Sequence, residues 1–248
     1  MSARGRAGRV AVLVPLFCLF FSEPHAAKLP DWAQAIAEIS VPISEGVPEH
    51  LSLTLLSEVK YTIQPDGTLR IRKRLAEQVL SAATPDLDFG TFSFDQTTKV
   101  ISTKAWHLAP GDTAKRSWMS PVDLVVGDFF LGDSRIRVKG VPGIRKGSLV
   151  FFEFEATDRP YFLALRHIFL EGTPIAIGRF ELQTPPGWEP RWEWLHAPGP
   201  EPVRTANLLT WEVRDPPLFE AEPLSPPTVD LAPVLVVNAV PPAGVKPS

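Results

Sequence analysis

Cysteine is nearly absent from this chain. Its 248 residues hold one, Cys18, inside an apolar run near the start. If that run is removed, the rest of the chain has no disulfide, no thiolate metal site and no cysteine nucleophile. Cys18 also follows Pro15-Leu16-Phe17, without the small residue expected before a lipidated cysteine. Long apolar runs are lacking too. The one candidate, residues 10–21, is about a dozen residues long, against the roughly 20 a spanning helix needs. No integral span is therefore expected after the leader is cleaved. A charge excess is also missing: the net charge is −3, and it falls further once Arg4, Arg6 and Arg9 leave. That argues against a nucleic-acid partner.

What is present at the start is an order of features. Three arginines come first, then the short apolar run, then small residues at Ala26 and Ala27. This is the pattern of a secretory signal peptide over residues 1–27, and it places the protein in the periplasm or outside the cell. An uncleaved anchor is the alternative. Export without disulfides is consistent, because a chain of this length buries an adequate core unaided.

After the leader, residues 28–44 read as a helix and linker. DWAQAIAEI has Asp31 as N-cap and Trp32, Ile36 and Ile39 at helical spacing. Then the apolar period changes to two. Strands are expected at 51–63 and 68–80, joined by a Pro65-Asp66-Gly67 turn. Others follow at 99–108, 134–141, 149–157, 161–170, 174–184, 191–196, 207–213 and 232–240. This spacing predicts an all-β, antiparallel sandwich over residues 45–240. Residues 216–233 are proline-rich and read as an extended surface segment. Residues 241–248 resemble a linker.

Chemistry-bearing motifs are few. Gly132-Asp133-Ser134 has the look of an esterase serine block but lacks a downstream base, so it reads as a turn. PGIRKGS at 142–148 has the wrong order for a phosphate loop and reads as a hairpin loop. His50, His107, His167 and His196 lack ligand spacing, so no metal or other cofactor is expected. Trp188, Trp192 and Trp194 lie close together. They form either a wall of the core or a stacking platform for a glycan. Arg70, Arg72 and Arg74 share one strand face, as do Arg135, Arg137 and Lys139. Each set reads as a solvated face rather than an anion site.

An ordered series of short signatures resembles one family, the uncharacterised domain in front of transglutaminase-like domains of exported bacterial proteins. The series begins with Pro65-Asp66-Gly67-Thr68, Phe94-Asp95 and Val141-Pro142-Gly143. Lys146-Gly147 then leads into Phe152-Glu153-Phe154-Glu155, followed by Pro185-Pro186-Gly187-Trp188, Thr210-Trp211-Glu212 and Glu222-Pro223. The resemblance implies a β-sandwich accessory domain. It also implies that the Cys, His and Asp of any catalysis sit in the neighbouring domain, which is expected to be absent from this chain.

Three functions compete. The first is a non-catalytic interaction domain of the cell envelope, docking an envelope protein or a separately encoded transglutaminase-like enzyme. The second is a carbohydrate-binding module using Trp188, Trp192 and Trp194. The third is a hydrolase using Glu153 and Glu155. Those glutamates alternate with Phe152 and Phe154, so they share the wet face of a strand. A hairpin around PGIRKG would set Arg137 opposite Glu153 and Arg135 opposite Glu155, with Val138 and Ile136 meeting Phe152 and Phe154 behind them. On that register the four charged residues are structural pairs.

Overall fold

The computed structural model describes residues 28–41, 51–81, 89–117, 119–125, 135–160, 162–170, 173–218 and 228–242. The leader with Cys18, the Gly132-Asp133-Ser134 motif, His50 and most of the proline-rich segment lie outside them. In chain order the strands are β1 (Ser52–Ile63), β2 (Leu69–Val79), β3 (Phe89–Phe94), β4 (Thr98–Leu108), β5 (Lys115–Arg116), β6 (Val122–Val125) and β7 (Arg135–Gly140). β8 (Leu149–Asp158), β9 (Ala164–Ile168), β10 (Ile177–Gln183), β11 (Glu189–Leu195), β12 (Val203–Thr205), β13 (Leu208–Arg214) and β14 (Val234–Val240) complete the set. Two short helices, α1 (Asp31–Ala37) and α2 (Thr228–Leu231), accompany them. The fold is all-β, as expected.

One large sheet runs β12-β13-β10-β1-β2-β8-β4-β5. Two three-stranded sheets, β11-β14-β9 and β3-β7-β6, form the second layer. Pairing is antiparallel except between β1 and β10, which run parallel. β1 and β2 form the expected hairpin. Its turn is closed by Asp66, whose carboxylate accepts from the Thr68 backbone N–H and hydroxyl at 3.0 Å each, with Gly67 at φ +84°.

Alternation along the central strands creates two faces. Val150, Phe152, Phe154 and Ala156 of β8 face the small sheets, with Phe180, Leu182, Trp211 and Leu235 in the same core. Phe92 stacks on Phe154, centroids 5.7 Å apart. Gly90 of β3 lies so flat on β8 that a methyl group there would fall 2.5 Å from the Phe152 ring.

Leu149 and Phe151 point the other way. There α1 covers one end of the large sheet, packing Ala33 and Ile36 on Leu55, Leu56, Ala76, Trp106 and Phe151. Gln78 holds the chain after the helix. Its side-chain amide donates to Val41 O at 2.7 Å and accepts from Val41 N–H at 2.9 Å. The helix is thus built onto the domain rather than leading up to it. Its start also differs from the expectation. Pro30 is the N-cap and makes no side-chain cap bond, while Asp31 is already helical. Proline's fixed φ starts the turn without a capping carboxylate. Ile39 is exposed.

Candidate functional site

Beside α1, the outer face of the large sheet carries a row of charges of alternating sign. Register aligns Lys104, Glu153, Arg74, Glu58, Arg179 and Glu212 on six adjacent strands, β4, β8, β2, β1, β10 and β13. Glu153 accepts from Lys104 Nζ at 3.1 Å and Arg74 Nε at 3.0 Å. Glu58 lies 3.5 Å from Arg74 Nη1 and 2.9 Å from Arg179 Nη1, with Arg72 Nη2 3.6 Å away. Arg179 also reaches Glu212 at 2.8 Å, and Arg214 closes the end at 2.7 Å. Arg74 further lies 5.0 Å over the Trp32 ring of α1, joining the ladder to the helix.

Glu58 and Glu153 are buried, yet each is closed by cations. Burial pushes the Glu153 carboxyl up, but hydrogen bonds from Arg74 and Lys104 and their charges outweigh it and leave it low. The same contest leaves Glu212 low and Arg179 raised. A general acid needs the opposite shift, and a nucleophile needs a free face. Glu153 has neither.

The expected β7–β8 hairpin does not form. β7 lies between β3 and β6 in a small sheet, and β8 lies between β2 and β4 in the large one. Arg137 forks onto Asp123, at 2.6 and 2.7 Å, and lies over the Phe94 ring. Arg135 is aligned with Phe94 and Val125. Glu155 pairs with Arg70 at 3.3 Å. Period-two alternation sets the face a residue takes, not the neighbouring strand. Residues 141–148 carry the chain from one sheet to the other instead of turning it back.

The tryptophans fall into the core wall. Trp188 is buried. Trp192 meets buried Trp211 edge-on at 5.7 Å. Trp194 tilts on Phe169 at 5.6 Å and donates from Nε1 to Pro200 O at 3.2 Å. A methyl group on Gly199 would fall 2.2 Å from the Trp194 ring, so its other side is closed by backbone.

Two features escape sequence reading. His107 Nε2 and Ser148 Oγ lie 3.0 Å apart, which is dyad distance. Ser148 is fully buried, and its oxygen also accepts from Arg145 N–H at 3.0 Å. Burial lowers the His107 pKa, and Lys115 and Arg145 lower it further. The pair is a structural hydrogen bond inside a turn, with no path for a substrate to the hydroxyl. The second feature is a cleft of about 810 Å³ between the two small sheets, floored by the large one. Val59, Ile71, Phe94, Leu165 and Ile168 line it, together with Lys73 and His167. Burial, reinforced by the Lys73 charge, lowers the His167 pKa to about 4. Its ring lies edge-on to Phe169 at 4.5 Å and tilted on Phe180 at 5.3 Å. Among the described residues no three His, Cys, Asp or Glu side chains gather as metal ligands would. No helix among them is long and apolar enough to cross a membrane.

No protein-family model matches the chain, and no curated protein does. Solved structures do match. A protein of Parabacteroides distasonis named as a candidate protease aligns at TM-score 0.62 and 15% identity, over 77% of this chain and 41% of that one. The M1 zinc metallopeptidase of Deinococcus radiodurans aligns at 0.38 and 11%, over 79% and 44%. Native leukotriene A4 hydrolase of Saccharomyces cerevisiae aligns at 0.42 and 8%, over 86% and 33%. The first shares the fold. The chain spans less than half the length of each.

Proposed function

We propose that this chain is a non-catalytic binding domain exported to the cell envelope, an accessory to a transglutaminase-like enzyme. One observation carries the non-catalytic part. The two groups that sequence and geometry offer for chemistry, the glutamates of β8 and the Ser148–His107 pair, are both locked into the fold. Glu153 is held by two cations and Glu155 by one, and Ser148 has no exposed surface. Export rests on the leader pattern. The partner rests on the ordered signatures from Pro65 to Pro223.

A direct test mixes the purified chain with the transglutaminase-like enzyme of its own genome and follows both by sedimentation velocity. A complex that an unrelated exported protein does not form supports the reading. Independent sedimentation sinks the partner. Turnover of any peptide or glycan by the chain alone, lost on Ser148→Ala or on Glu153→Gln with Glu155→Gln, sinks the non-catalytic assignment.

A further inference from the structure

The cleft between the small sheets holds a basic group on the core-facing side of a strand. On β2, Leu69, Ile71, Lys73 and Leu75 share the inward parity, while Arg70, Arg72 and Arg74 take the outer face. Outward, Arg70, Arg72 and Arg74 each meet a glutamate within 3.6 Å. Inward, Lys73 is aligned with Val59 on one side and Phe154 on the other, and no carboxylate pairs with it among the described residues. It lies near enough to His167 to help hold that ring neutral.

Two carboxylates of the cleft lie against threonines at its rim. Asp95 accepts from the backbone and hydroxyls of Thr97 and Thr98 at 2.7–3.2 Å. Asp158 lies 2.7 Å from the same Thr97 hydroxyl, whose one proton it shares with Asp95. Glu58 borders the cleft only from behind, its carboxylate lying in the outer ladder. The remaining lining mixes apolar side chains such as Val59, Ile71 and Leu165 with Ser57, Tyr61 and Arg135, and Phe162 stands 83% exposed among the lining residues. Small-molecule sites commonly have about 300–1,000 Å³, an apolar body and a few placed polar groups. An ammonium at the floor of such a cleft favours an anion over a neutral ligand of the same shape.

The geometry points to a ligand site for a small apolar carboxylate, its hydrocarbon body between the two small sheets and its carboxylate on Lys73 Nζ. His167 borders the head group as a neutral donor and competes for no charge. The inference rests on the binding reading of the domain but not on its partner. A failed enzyme complex leaves it standing, and a failed ligand test leaves the complex standing.

The test is calorimetric titration of the full chain with decanoate and with 1-decanol, which share the body and differ in charge. Decanoate is expected to bind at least tenfold more tightly. Lys73→Met removes that advantage and leaves decanol unchanged. Ala164→Trp, at an exposed position on the cleft wall, weakens both. Equal affinity for acid and alcohol overturns the proposal, as does acid binding that survives Lys73→Met, or no binding of either. Should Lys73→Met fail to fold, the lysine Cε–Hε resonances of the wild type decide. A Lys73 signal that shifts with decanoate and not with decanol supports the site, and one that ignores both refutes it.

Discussion

Glu58 and Arg179 meet across the parallel pair β1–β10, Oε2 to Nη1 at 2.9 Å. Glu58 is 4% exposed and also faces Arg74 and Arg72. It is therefore the hub where the two halves of the charge ladder join.

Removing that hub leaves three arginines facing one another in a half-buried place. Glu58→Ala should cost about 3–5 kcal/mol, the usual result of breaking a buried pair from one side. Glu155→Ala, on β8 beside the ladder, should cost under about 1 kcal/mol, since its partner Arg70 is 58% exposed. Urea unfolding of both variants measures the contrast. Equal losses would mean that the ladder is not organised around Glu58.

Acid should act in two windows. His167 titrates near 4 in the folded chain, against about 6.5 unfolded. Between those values the unfolded state takes a proton that the folded state refuses, so stability falls as pH drops, by up to about 1.4 kcal/mol per unit. His107, lowered by burial and by Lys115 and Arg145, adds to the upper part of this window. Glu153, whose folded pKa is depressed, contributes stability above its unfolded value of roughly 4.3 and loses it as pH falls through the folded one. Unfolding free energy measured from pH 7 to 4, which is about the span of these shifts, should have a shallower slope in His167→Phe. An unchanged slope would refute this assignment.

Gly90→Ala should destabilise by about 1–3 kcal/mol or more, because its methyl would meet the Phe152 ring at 2.5 Å. Gly199→Ala should do the same through Trp194. Thermal melts of both check this. A neutral Gly90→Ala would mean that β3 can lift off β8.

Ser148→Ala leaves His107 without its partner in a buried turn. The expected loss is about 1–3 kcal/mol, with no labelling of wild-type Ser148 by a fluorophosphonate. Labelling at Ser148 would show a path to the hydroxyl that the fold closes.

Much of this was readable from residue order. Period two in LVFFEFEAT put Phe152 and Phe154 on the core face and Glu153 and Glu155 on the other, as found, but that other face buries Glu153 rather than wetting it. The partners were not readable, because Glu153 meets Arg74 and Lys104, which are 79 and 49 residues away in sequence. Nearness in sequence favoured Arg137, but the chain had already changed sheets. Lys73 carried a usable signal, a charge on the apolar parity of LRIRKRL, masked by the three arginines around it. β3 is hard to read because FGTFSF carries Gly90 at its second position, and the purpose of that glycine, close approach to Phe152, appears only in the packing. The Ser148–His107 contact joins β4 to the turn before β8 and leaves no local trace.

The parallel pairing of β1 with β10 has a consequence in time. Ser57 aligns with Gly178, so one of the first strands completes its edge only when one of the last arrives. Contacts this distant slow folding, because loop closure must precede the gain. Until β10 docks, β1 presents unpaired backbone beside an apolar surface, the kind of edge that recruits other chains. A chain cut before β10 should therefore aggregate rather than fold, whereas loss of the peripheral β12 should leave β1 covered.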